Sequence, residues 1–203
     1  MHHIATGLMQ LHGVGIAHQD LKPSNVLVFE KEPTSVSKVA DLGNSSSRDG
    51  SSPYEHVKWA GDITYAPPEI LYSQIDVDWN NRRIATDLYL LGSMVSFIFT
   101  NTTAFAALRQ NLALEHDPSN WGASYQEVLP YVRTAFNLAA TAFEQELPKS
   151  LARDLVPIYL QLCEPDPLRR GPPGQAINKV SLMRFVSRFD TLACKAAAGK
   201  YKE

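Results

Sequence analysis

Residues 84–100, IATDLYLLGSMVSFIFT, are nearly all apolar, and no other stretch restricts the fold as much. A helix that is apolar on every face has to be buried on all sides. Its most apolar part, Leu88 to Phe99, has the length of a core helix and falls short of the roughly 18 apolar residues read as a membrane span. The remaining chain must therefore wrap amphipathic elements around this segment. With 203 residues, 44% of them apolar and 20% charged, the chain suits one soluble domain that can bury such a core.

Amphipathic elements are legible on both sides of it. Ile4, Leu8 and Leu11 recur at helical steps over residues 1–12, and Gly13 ends the run. The segments near 124–146, 150–163 and 175–196 predict further helices. "VLVFE" (26–30) and "VSKVA" (36–40) flank the turn-prone "KEPTS" and predict an antiparallel hairpin. The Ser/Gly-rich stretch from Asn44 to Tyr54 has no periodicity and reads as a mobile surface loop. "APPE" (66–69) reads as a rigid extended stop, "EHDPSNWG" (115–122) as a loop, and "CEPDPLRRGPPG" (163–174) as a non-helical separator. The connection 101–125 is long for a plain loop. The fold class is mainly α with a small β-hairpin.

The formal charge of −2 supplies no basic field, so neither nucleic acid nor an anionic membrane is an expected partner. Cys163 and Cys194 are far apart and form no C-x-x-C pair, which excludes a disulfide framework and fits a reducing, cytoplasmic setting. No basic and apolar leader opens the chain. Trp59, Trp79 and Trp121 read as packing anchors, and His12, His56 and His116 are assigned no role.

Polar groups crowd into "IAHQDLKPSN" (16–25). If Asn25 begins the hairpin and Asp41 ends it, pairing sets them across from each other, about 5 Å apart. Asp20 and Lys22 then converge on the same edge. Oxygen donors such as Asn25 and Asp41 suit Mg²⁺. A separate carboxylate, Asp20, can orient a hydroxyl and accept its proton, and Lys22 can offset charge on a transferred group. These are the parts that phosphoryl transfer needs.

"HQDLKPSN", "DLG" (41–43) and "APPE" (66–69) resemble the H-R-D-x-K-x-x-N, D-F-G and A-P-E motifs of protein kinases. "TDLYLLG" (86–92) is similar to the kinase helix whose aspartate supports the catalytic loop, here Asp87. "EPDPLRRGPP" (164–173) is similar to the turn whose arginine pairs with the A-P-E glutamate, here Arg170 with Glu69. The resemblance implies a kinase-like large C-terminal lobe over residues 1–196 with a tail at 197–203. It makes Asp20 the base, Lys22 the partner of the γ-phosphate of ATP, Asn25 and Asp41 the Mg²⁺ ligands, and His18 and Leu42 parts of a packed spine behind the site. The lysine in "DLKPSN" resembles serine/threonine kinases, so the implied substrate is a protein hydroxyl.

Four departures qualify this expectation. Gln19 replaces the arginine that commonly grips an activation-loop phosphate, so phosphorylation among Ser45–Ser52 should matter less. Leu42 replaces phenylalanine, a swap that cores tolerate. Asp62 stands where a threonine would contact the catalytic aspartate and lysine. Finally, "GVGIAH" (13–18) fails G-x-G-x-x-G, and the chain opens inside a helical pattern, so the glycine-rich loop, lysine and glutamate of an N-terminal lobe are expected to be missing from these residues. Three readings follow: the lobe of a genuine kinase, inactive by itself; a pseudokinase or scaffold; or a fragment whose bare upper face seeks a partner.

Overall fold

The computed structural model describes residues 1–31, 34–173 and 181–201. The apolar segment forms α3 (Ala85–Thr100), which continues from a π-helical turn at Asn80–Ile84. From Ala85 to Ser96 every residue is buried. The expectation of burial on all sides fails in the last turn, where Ile98 and Phe99 face solvent before Asn101 closes the helix at φ 54°.

Around α3 pack α4 (Ala104–Arg109), α5 (Tyr125–Gln145) and α6 (Lys149–Leu162). Buried residues Tyr125, Val128, Leu129, Val132, Phe136, Ala140 and Phe143 run along one face of α5, as an amphipathic helix requires. α3 and α6 approach closely because Gly92 has no side chain; a Cβ there would overlap Cys163 Sγ and Leu162 Cβ. α7 (Met183–Ala197) buries Phe185 and Phe189 and packs against α1 (His2–Gly13). Residues 175–180 of the expected helix lie outside the described residues.

The hairpin forms as expected from β2 (Val26–Lys31) and β3 (Thr34–Val39), antiparallel with Val26 opposite Val39; residues 32–33 of its expected turn lie outside the described residues. The register is one residue off the sequence expectation. Asn25 lies opposite Ala40, whose N–H donates to the Asn25 carbonyl at 2.9 Å, and Asp41 is one step further. Asp41 leaves the strand direction at φ 62°.

Three other expectations are corrected. Residues 44–54 are not a free loop: β4 (Ser46–Ser47) pairs with β1 (Ile16–Ala17), and Ser46 is buried. Pro68 does not hold an extended stop but opens a short helix, α2 (Pro68–Leu71), because proline's fixed φ suits a first helical position. The long 101–125 connection contains α4, capped by Thr103 Oγ1, and a 3₁₀ turn at Leu114–His116.

Candidate functional site

The loop between β1 and β2 carries His18 to Asn25, and α3 holds it from below. Asp87, fully buried in the first turn of α3, accepts from the His18 backbone N–H at 2.7 Å and the Gln19 backbone N–H at 2.8 Å. The side chains of Gln19 and His12 donate to it at 3.1 and 2.8 Å. Burial alone would raise the Asp87 pKa; the bond and positive field of His12, with the field of His18 and the Gln19 N–H, hold it below the usual carboxylate value. These ties fix Gln19 at φ 66°, a conformation that costs a non-glycine residue energy.

His18 is fully buried beneath the loop. Its Nδ1 accepts from the Asp20 N–H at 3.2 Å, so Nε2 is the protonated nitrogen and donates to the Ala40 carbonyl at 3.0 Å. The loop is thereby tied to the end of β3.

On this base the Asp20 carboxylate collects four donors. Oδ1 accepts from the Asp62 backbone N–H at 2.8 Å. Oδ2 accepts from the Asn25 amide at 3.1 Å and the Asn44 amide at 3.2 Å, and Lys22 Nζ lies 3.3 Å away. Lys22 Nζ is also 3.5 Å from Asp62 Oδ2. Its partial burial works against the charge, but Asp20 and then Asp62 outweigh that and raise its pKa. The carboxylate at 62 thus lies beside Lys22, while its backbone N–H binds Asp20.

The Asn25 amide nitrogen also donates to the Asp20 carbonyl at 2.8 Å, so its Oδ1 is the atom left to face an ion. Asp41 is exposed, with Oδ1 accepting from the Gly43 N–H at 3.1 Å. One amide oxygen and one carboxylate oxygen are hard donors that fit Mg²⁺, which keeps waters and substrate oxygens for its other positions. Among the described residues no group of three His, Cys, Asp or Glu side chains could hold a metal unaided. Leu42 is 45% exposed among the described residues, where the chain turns at Asp41 beside an open cleft between α1 and β3.

The far side of the loop is wired to the segment 46–57. Arg83, in the π-helical turn, is buried, and its guanidinium donates to the Gln19 side-chain oxygen and to the backbone carbonyls of Tyr54, Glu55 and Val57 at 3.0–3.3 Å. Gln19 returns a bond to the Arg83 carbonyl at 2.9 Å. Glu55 pairs with Arg82 and accepts from Ser46 Oγ. Further away, Arg170 grips Glu69 through two bonds of 2.7 and 2.8 Å, as expected, and its guanidinium lies over the Tyr89 ring. Burial disfavours its charge, but Glu69 more than compensates and raises its pKa.

Sequence reasoning missed four contributors. Asn44 directly follows D-L-G, and an amide beside a motif carboxylate was the available signal. His12, Arg83 and Glu55 act across folds in the chain that no local pattern discloses.

Residues 1–180 match the protein kinase domain family. Among curated relatives, the calcium and calcium/calmodulin-dependent serine/threonine-protein kinase of Oryza sativa subsp. japonica is 36% identical over 104 residues, covering 51% of this chain and 19% of that protein. The serine/threonine-protein kinase AfsK of Streptomyces coelicolor is 30% identical over 164 residues, 76% of this chain and 18% of that protein. The serine/threonine-protein kinase/endoribonuclease IRE1a of Arabidopsis thaliana is 34% identical over 102 residues, 49% of this chain and 11% of that protein. The chain spans about a fifth of the length of the first two. No helix among the described residues is long and apolar enough to cross a membrane.

Proposed function

Since the chain belongs to the protein kinase family, we propose that residues 1–203 carry the acceptor- and metal-handling half of an ATP-dependent serine/threonine protein kinase that acts on protein hydroxyls in the cytoplasm. The observation that carries this reading is the Asp20 carboxylate, held by Asp62, Asn25, Asn44 and Lys22 on a loop that Asp87 fixes from below. A carboxylate so oriented is suited to align a hydroxyl and take its proton. Asn25 Oδ1 and Asp41 would hold Mg²⁺, which neutralises charge on the ATP phosphates when bound. Lys22 would meet the transferred phosphoryl group. His18, Asp87 and the Glu69–Arg170 pair position these groups and do no chemistry.

These residues contain no glycine-rich phosphate loop. Leu27 and Phe29, which share one face of β2, stand about half exposed, an apolar face suited to a second lobe that covers the nucleotide. The same face favours a second reading, a binding module that uses the lobe without catalysis. Titration calorimetry of residues 1–203 with MgATP separates these claims. The expected affinity is weaker than micromolar, and micromolar binding would contradict the need for a covering lobe. Phosphoryl transfer by a longer form, abolished in Asp20→Ala with the fold intact, supports the enzyme over the binding module; activity retained in that variant rejects Asp20 as base.

A further inference from the structure

Asp62 sits where the chain comes as near to the Asp20 loop as backbone can. A Cβ at Gly61 would overlap the Gln19 carbonyl and the Trp59 ring, so only glycine lets residue 62 reach Asp20. The Asp62 N–H then binds Asp20 Oδ1 at 2.8 Å. Its side chain is fixed separately: Oδ1 accepts from the Thr64 N–H at 3.0 Å and the Thr64 hydroxyl at 2.7 Å, while the Thr64 carbonyl is anchored by the Thr103 hydroxyl at 3.0 Å. That leaves Oδ2 aimed at Lys22, 3.5 Å away. Asp20 Oδ2 already has two amide donors, so it offers Lys22 a shared oxygen, whereas Asp62 Oδ2 faces Lys22. Two carboxylates thus share one ammonium.

Resting on the kinase reading for its consequence, we propose that Asp62 is a positioning residue for Lys22, holding its ammonium against Asp20 until an incoming phosphate takes Asp62's place. Thr64 keeps the Asp62 carboxylate still, so Lys22 is the mobile partner. A phosphoryl group near Lys22 competes with Asp62 for the same charge, and the exchange leaves the two carboxylates facing the acceptor side. No bond is made or broken in this step; one ion pair replaces another. Asp62→Asn keeps an oxygen for Thr64 and the backbone N–H for Asp20, while the atom facing Lys22 becomes an uncharged amide nitrogen that cannot accept from it.

The test is acetylation of residues 1–203 with acetic anhydride at fixed pH, read at the Lys22 peptide by mass spectrometry, in the wild type, Asp62→Asn and Asp62→Glu. Loss of a partly exposed ion pair should speed Lys22 labelling about two- to fivefold in Asp62→Asn, and Asp62→Glu should restore the wild-type rate. Equal Lys22 rates in wild type and Asp62→Asn, with both folded by circular dichroism, overturn the proposal. Protection of Lys22 by millimolar MgATP is read in parallel and, where seen, supports the kinase reading, while the ratio of unprotected rates decides the role of Asp62.

Discussion

The two sides of the loop 18–25 are built differently. Toward α3, the His18 and Gln19 N–H groups end on buried Asp87, and Arg83 binds three carbonyls of the segment 54–57. Toward the hairpin, Asp41 and Leu42 are exposed, and Val14, Leu27 and Val28 face solvent. The buried side fixes the position of Asp20; the open side presents oxygen atoms and apolar surface. Buried polar groups cannot be left unpaired without cost, so the first side is determined by the fold itself. The second side costs little to leave open, and there the proposed nucleotide site lies.

The comparison breaks most sharply at Asp87. Asp87→Ala leaves two backbone N–H groups and two side-chain donors without their acceptor, and should destabilise the domain by about 3 kcal/mol or more, measured by urea unfolding. Because the folded pKa of Asp87 is depressed, its stabilisation is present above the unfolded carboxylate value of 3.8 and is lost as pH falls through the folded pKa. An unfolding free energy for Asp87→Ala equal to that of the wild type would show that the buried side does not fix the loop.

A smaller effect is expected at Arg83. Arg83→Met retains an apolar stem but frees three carbonyls, which should cost about 2 kcal/mol and speed proteolytic cleavage within 46–57 while the helices resist. Uniform cleavage would mean that Arg83 does not hold this segment. Smallest is the open side: Leu42→Ala should change stability by no more than about 0.5 kcal/mol, in the same unfolding assay. A larger loss would place Leu42 in the core after all.

The parts legible in the sequence were those set by local pattern. Helical steps located α1, α3, α5 and α6, and alternation located the hairpin. Motif spacing gathered Asp20, Lys22 and Asn25, because eight contiguous residues can be read as a unit. Register was not legible to the last residue: Asp41 misses Asn25 because the pairing is set by where β2 begins, one position away from the assumed start. Nor was the order in 46–57, whose serines look solvated until Arg82 and Arg83 arrive from more than 25 residues away. The exposure of Leu42 was not legible either, because a motif conveys residue type and not what covers it.

The most direct measurement uses Mn²⁺ with ATP as a paramagnetic probe on labelled residues 1–203, a method suited to weak binding. The account predicts broadening of the Asn25 and Asp41 signals, lost in Asp41→Ala, with α5, α6 and α7 untouched. No broadening at Asn25 and Asp41, or equal broadening in Asp41→Ala, would contradict the assignment of these two residues as the metal-holding edge of a phosphoryl-transfer site.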